Sequence, residues 1–272
     1  MQIRQIAVLG AGTMGHGIAH AAIAGGYRTR LYDVSDAAIQ KGTAAIDAII
    51  RKGVDLGKVP ASEADAMRAR LTTTIRLEEA LDGVDFIIEA APEKLDLKLA
   101  LLADVDRLAP ESAIVATNTS ALSITEMAGS MKRPSRVAGM HFFNPVHRMK
   151  LIEIVQALES APETLQAIED VSRQMGKETV LVRESPGFIT SRVNASIGNE
   201  AFYMLMEGVA SARDIDKALK LGLNHPMGPF ELVDLVGLDT RLSILEYLHK
   251  TLGEKYRPCP LLRQYVAAGR LG

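Results

Sequence analysis

Sulfhydryl chemistry is nearly absent from this chain, which has one cysteine, Cys259. No disulfide can form within it, and that fits a reducing compartment. Cys259 sits between Pro258 and Pro260 and reads as incidental rather than catalytic. No apolar run approaches the roughly 20 residues that span a bilayer. The opening MQIRQIAVLGAGTMG has no charged leader and no small-residue cleavage site. The expectation is a cytoplasmic protein with no membrane partner. A strong charge bias is missing too, the formal net charge being −2. A nucleic-acid binder would carry a basic face, so no nucleic acid is expected, although a local patch for a small anion fits. Repeats and low-complexity segments are absent. What is present is 272 residues, 47% of them hydrophobic, enough for two domains or one large one.

The start of the chain is the most ordered pattern. A short apolar run, Ile3 to Leu9, ends at Gly10-Ala11-Gly12-Thr13-Met14-Gly15, and an alanine-rich helical stretch follows from Thr13 to Ala24. Gly25-Gly26 stops that helix. A second strand, Thr29 to Tyr32, runs into Asp33, 18 residues after Gly15. Strand, G-x-G-x-x-G, helix, strand and acid together make a dinucleotide-binding unit of Rossmann type. Gly10 permits the tight turn, Gly12 lets the backbone approach a pyrophosphate, and Gly15 lets the helix pack closely. The helix N-terminus, opened by Thr13 and Met14, offers unpaired N–H groups to phosphate. Asp33 accepts from the adenosine ribose hydroxyls and repels a 2′-phosphate, so NAD is the expected cofactor. His16 and His20 stand four apart on the helix, but no third ligand is visible and no metal is expected.

Ser35 to about Ala69 is long for a connection between strands and reads as two helices around a break from Gly53 to Pro60. Arg51, Lys52 and Lys58 gather at that break, either as a solvated face or as a landing site for phosphates. Strand and helix then alternate. Val84–Ala90, Ala113–Thr117, Arg136–Phe143, Leu151–Val155 and Thr179–Val182 read as strands, and Leu95–Leu108 as a helix. This alternation predicts a mostly parallel sheet with ligands beyond the carboxyl ends of its strands. Glu93, Asn118, Ser120, His141 and Asn144 cluster at those ends. Glu153 lies inside the apolar strand LIEIV, where a charge is costly unless paired. His141 is its natural partner: a carboxylate on one imidazole nitrogen fixes the tautomer, so that the other nitrogen takes a proton. From the residues alone, a purely structural pair is equally open.

The segments GAGTMGHGIA, PEKLDLK, NTSALSI, HFFNPV, LIEIV, SPGFI and NHPMGPFELVDLVGLDT occur in one order over nearly the whole chain. In them the chain resembles the 3-hydroxyacyl-CoA dehydrogenase family, and most of all its bacterial 3-hydroxybutyryl-CoA branch. The resemblance implies His141 as the catalytic histidine, Glu153 as its carboxylate partner, and Ser120 at the reacting oxygen. It implies Asn144 beside substrate and nicotinamide, Asp33 on the adenosine ribose, and Glu93 and Lys98 on the nicotinamide ribose. Asn118, Ser120 and Asn144 are counted with the cofactor contacts. Lys52 and Lys58 fall in the family's CoA-binding hairpin, which makes an acyl-CoA the expected substrate. The chain departs from the family at Ser191, a substrate-side position where members commonly carry asparagine. Members also commonly continue past Gly272 with a short glycine- and aromatic-containing segment.

Glu184-Ser185-Pro186-Gly187 breaks the composition, and residues beyond it read helical: Phe188–Glu207, Ala212–Leu221, Pro229–Leu235 and Thr240–Leu252. The fold class expected is thus α/β, with a Rossmann-type NAD-binding domain over 1–184 that carries a helical hairpin insertion. An all-helical substrate and dimerisation domain follows over 185–272. Ile189, Val193, Ile197, Ala201, Met204 and Leu205 give the first of those helices more apolar surface than a small domain needs, and the resemblance implies a homodimer built there. Two other readings remain for the residues: an NAD-dependent dehydrogenase of a hydroxy acid or sugar acid without CoA, and a non-enzymatic nucleotide-binding protein of crystallin type.

Overall fold

A computed structural model describes residues 2–272. The chain divides into two compact units, Met1–Glu184 and Ser185–Gly272.

The first unit is built on β1 (Gln5–Leu9), α1 (Thr13–Ala24), β2 (Arg28–Tyr32), α2 (Asp36–Asp55), α3 (Ala61–Ala69), β3 (Leu71–Thr74), α4 (Leu77–Leu81), β4 (Phe86–Glu89) and α5 (Leu95–Leu108). It continues through β5 (Ile114–Thr117), α6 (Ile124–Gly129), β6 (Val137–Phe142), β7 (Leu151–Gln156), α7 (Pro162–Gln174) and β8 (Glu178–Arg183). The eight strands form one sheet in the order β3-β2-β1-β4-β5-β6-β7-β8. Neighbours are parallel except β6 and β7, which are antiparallel. Strand order reverses between β1 and β4, and in such sheets the ligand crevice lies outside the carboxyl ends at that point. The central strands are apolar runs because helices cover the sheet; β4, β5 and β6 are buried throughout. From α1, Ile18 and Ile23 enter the core, and from α2 a stripe of Ile39, Ile46 and Ile50 does so. That spacing holds one face of a 3.6-residue period.

The hairpin is as the composition predicts, but its break is tighter. Ser35 caps α2 by accepting from Ala38 N. The helix then runs through Gly53 to Asp55, and the Gly53 carbonyl accepts from Lys58 N at 2.9 Å and Val59 N at 3.2 Å. β3, α4, α6 and α7 have no counterpart in the sequence reading. β3 (LTTT) is a half-exposed edge strand with no alternation to see, and α4 and α6 are too short to show a helical period.

The second unit holds α8 (Thr190–Met206), α9 (Ala212–Gly222), α10 (Pro229–Val236), α11 (Leu238–Leu252) and α12 (Pro260–Ala267). Its core includes Ala195, Phe202, Val233, Leu245, Leu248, Cys259 and Leu262. Ser211 caps α9, accepting from Asp214 N at 3.1 Å. The buried Asp216 accepts from Phe230 N and Glu231 N and so starts α10. Gly237 (φ 100°) separates α10 from α11, which begins two residues earlier than its apolar pattern predicts. Cys259 is fully buried, and burial pushes its thiol up. Among the described residues no helix is long and apolar enough to cross a membrane.

Candidate active site

The glycine loop leaves β1 at Gly10, whose φ of 114° suits a residue without Cβ. A Cβ there would lie 2.6 Å from the Ala90 carbonyl oxygen, and one on Gly15 would overlap the carbonyl of Gly10. The closeness that Gly15 permits is thus to the turn itself. A Cβ on Gly12 would meet nothing within 4 Å. Gly12 is exposed at the N-terminus of α1, and no side chain caps that helix. No side chain competes for the first-turn N–H groups, the donors that a phosphate at a helix N-terminus uses. Asp33 has a task the spacing alone does not reveal: Oδ2 accepts from Ala11 N at 2.8 Å and Oδ1 from Ser35 N at 3.0 Å. The acid at the end of β2 thereby also fixes the loop. Gly12, Thr13, Met14 and Asp33 fit a dinucleotide.

Beside this loop, at the end of β4, lies a buried ion pair. Lys98 Nζ donates to Glu89 Oε1 at 2.7 Å and Oε2 at 2.9 Å, with both side chains essentially out of water. Thr117 Oγ1 and Ala91 N supply Glu89 with two further donors, at 2.6 and 2.7 Å. A charge inside an apolar strand needs a partner at Glu89 in VDFIIEA as much as at Glu153 in LIEIV, yet no sequence signal near Glu89 names one. Lys98, assigned to the nicotinamide ribose, has Glu89 as its principal partner and stands 3.5 Å from Glu93.

The Glu93 carboxylate turns instead to the loop after β5. Its Oε1 accepts from Thr119 Oγ1 at 2.6 Å, Ser120 N at 2.8 Å, Ser120 Oγ at 3.2 Å and Ala121 N at 3.3 Å. Asn118, also assigned to the cofactor, commits its Oδ1 to Phe142 N at 2.8 Å and so ties β5 to the end of β6. That bond lies one residue from His141.

His141 and Glu153 are direct cross-strand partners in the antiparallel β6–β7 pair. Such residues share one face of the sheet. This explains the separation of 12 positions: the connection 143–150 returns the chain so that the acid lands opposite the imidazole. Nδ1 of His141 lies 2.7 Å from Glu153 Oε2, and Glu153 is fully buried. An ionised carboxylate only accepts, so Nδ1 carries the hydrogen and Nε2 is the nitrogen for proton exchange. The Phe143 ring packs against the imidazole at 4.6 Å between centroids. Asn144 is exposed on the following turn.

Three cations stand at the end of α2 and in the turn that follows it. Arg51, Lys52 and Lys58 are exposed and enter no ion pair among the described residues. Lys52 is close enough to His147 to act on it: His147 is pushed down by burial first, then by the charges of Arg148, His16, Lys177 and Lys52. His20, whose ring is 6.5 Å from that of His147, is lowered to about 4 by burial first and then by His147, Lys177 and His16. His16 donates from Nδ1 to the Gly12 carbonyl. Ser191 lies in the first turn of α8, in the second unit, after the turn at Gly187 (φ 73°) and Phe188 (φ 49°).

A doubly covered sheet with an open glycine loop, an acid after β2 and a carboxylate-bound histidine at the sheet's carboxyl edge defines a nicotinamide-dependent dehydrogenase. The family model for the 3-hydroxyacyl-CoA dehydrogenase NAD binding domain matches residues 5–185, and that for the family's C-terminal domain matches 187–272. The chain belongs to the 3-hydroxyacyl-CoA dehydrogenase family, and its cofactor is NAD. It is 45% identical to a probable 3-hydroxybutyryl-CoA dehydrogenase of Bacillus subtilis, covering 100% of this chain and 95% of that one. Identity to the 3-hydroxybutyryl-CoA dehydrogenase of Clostridioides difficile is 42%, over 98% of this chain and 95% of the relative. The crystal structure of (S)-3-hydroxybutyryl-CoA dehydrogenase from Ralstonia eutropha superposes with a TM-score of 0.96 at 42% identity, over 100% of this chain and 96% of that one.

The buried pair makes a direct prediction. Lys98→Met strands the Glu89 charge out of water, and breaking such a pair costs about 3–5 kcal/mol. Denaturant unfolding should show a loss of that order, partly recovered in Lys98→Met/Glu89→Gln. A single variant as stable as the wild type would show that Lys98 does not hold the edge together.

Proposed function

We propose that this chain interconverts a short-chain 3-hydroxyacyl-CoA and its 3-ketoacyl-CoA, with 3-hydroxybutyryl-CoA and acetoacetyl-CoA as the pair. The observation that carries the reading is the His141–Glu153 bond at the carboxyl edge of the sheet. NAD, when bound, supplies the acceptor for the C3 hydride, or the donor in reverse. Gly10, Gly12, Thr13, Met14 and Gly15 form its phosphate cradle, and Asp33 takes the adenosine ribose. His141 receives the 3-hydroxyl proton at Nε2 as C3 is oxidised, and Glu153 stabilises the imidazolium that results. Ser120 has one hydroxyl hydrogen, held toward Glu93 at 3.2 Å. A bond that long and that exposed is readily exchanged for one to the substrate oxygen, on which charge develops in reduction. Asn144 and Ser191 are assigned to orienting the substrate. A dyad of this geometry does not suit a protein that binds nucleotide without turnover.

CoA carries phosphates, and the exposed Lys52 and Lys58 beside Arg51, which enter no ion pair among the described residues, support this hairpin as the site that meets them. The relatives named for 3-hydroxybutyryl-CoA support the short acyl chain. One buried thiol in the whole chain suits the cytoplasm. Leu221, Leu223, Leu235, Ile189 and Val193 are each about half exposed or more in the second unit. We take a second copy of the chain to cover them. Sedimentation equilibrium should then return twice the 29.3 kDa of one chain; a monomer at micromolar concentration contradicts the dimer.

Oxidation of NADH by acetoacetyl-CoA tests the activity. Lys52→Ala/Lys58→Ala should raise KM for acetoacetyl-CoA several-fold, with the effect shrinking at high salt, while KM for a pantetheine analogue stays near its wild-type value. Equal losses on both substrates would remove the hairpin from CoA binding. Turnover of a free 3-hydroxy acid as fast as of its CoA ester would overturn the substrate assignment.

A further inference from the structure

The loop that carries Ser120 runs from Asn118 to Ser123 between β5 and α6, and two carboxylates hold its two ends. Glu93 takes the N-terminal end through Thr119, Ser120 and Ala121. Glu184 takes the other. Its Oε1 accepts from Ser123 Oγ at 2.8 Å and Ile124 N at 2.9 Å. Its Oε2 accepts from Thr125 N at 2.9 Å and from Thr125 Oγ1. Thr125 Oγ1 in turn accepts from Leu158 N at 3.0 Å, which ties the same point to the chain after β7. Ser123 Oγ also accepts from Glu126 N and begins α6. Glu184 is the last residue of the first unit and is half-buried. Four donors from three consecutive residues on one carboxylate exceed what capping a six-residue helix requires, since a single side-chain oxygen normally suffices.

The geometry points to Glu184 as a positioning residue for the reaction: it fixes the far end of the Asn118–Ser123 loop so that the Ser120 hydroxyl stays at the reacting oxygen. The inference rests on the assignment of Ser120 to that oxygen. A short loop pinned at one end only keeps its backbone but not its side-chain position, and misplacement by about 1 Å can cost up to about 100-fold in rate. Glutamine is the informative substitution. It offers one acceptor oxygen where the carboxylate offers two, and it turns an NH2 group toward donors.

The test is steady-state reduction of acetoacetyl-CoA, with kcat referred to NADH-binding sites titrated by fluorescence, so that unfolded protein does not count. Glu184→Gln should lower kcat about tenfold and leave KM for NADH unchanged, with Glu184→Asp recovering part of the loss. Thr125→Val, which removes one of the four donors, should show a smaller loss in the same direction. In a Ser120→Ala background, Glu184→Gln should cost less than about twofold, because the group it positions is gone. An undiminished tenfold loss in that background, or an unchanged kcat per binding site with only a lowered Tm, overturns the role of Glu184 while leaving Ser120 in place. Full turnover by Ser120→Ala alone removes the Ser120 assignment, and this inference with it.

Discussion

Glu153 has no access to water, and its carboxylate meets Nδ1 of His141 at 2.7 Å. Taking a carboxylate out of water costs several kcal/mol unless donors replace the lost solvent. That requirement shapes the surroundings. The acid sits opposite its donor through the register of β7, which runs antiparallel to β6, against the direction of the rest of the sheet through β6. The 143–150 connection must then turn back at the carboxyl edge, and this carries Asn144, His147 and Arg148 to the same side as the glycine loop. One buried carboxylate is thus tied to strand direction, register and the orientation of the His141 imidazole.

The same principle recurs around the sheet, at its carboxyl edge and, for Glu184 after β8, at the opposite one. Glu89 is satisfied by Lys98, Thr117 and Ala91, Glu93 by the Ser120 loop, Glu184 by α6, and Asp33 by Ala11 and Ser35. Each joins segments distant in sequence, from 22 positions for Asp33 and Ala11 to 61 for Glu184 and Ser123. Loops that carry chemistry need this support, because they lack the ladder of hydrogen bonds that fixes a strand or helix. The hairpin cations stand apart from it: Lys52 and Lys58 are exposed, and their charges reach outward.

Legibility in the sequence follows the range of the physics. β1, α1 and α5 are visible because period and local stop signals lie within a few residues of each other, and α5 matches its expected limits of Leu95 and Leu108. The His141–Glu153 pairing is visible because a charge in LIEIV demands a partner and the nearest polar strand end supplies one. The Glu89–Lys98 pair is not visible in the same way. Their pairing depends on α5 folding back over β4, and nothing local in LDLK announces it. Glu184 is invisible, since its donors at 123–125 come near only through the sheet. The edge strand β3 and the short α4 and α6 are set by tertiary packing rather than by pattern.

The proposed reaction requires His141 and Glu153 to act as one unit. A kinetic double-mutant cycle on acetoacetyl-CoA reduction measures this most directly. His141→Ala should lower kcat by roughly 10²–10⁴-fold with NADH binding retained, as expected for the loss of a general acid–base group. Glu153→Gln should lower kcat as well, because a neutral partner stabilises imidazolium less. The double variant should lose far less than the product of the two single losses. Multiplicative losses, or near-normal turnover by folded His141→Ala, would contradict the dyad.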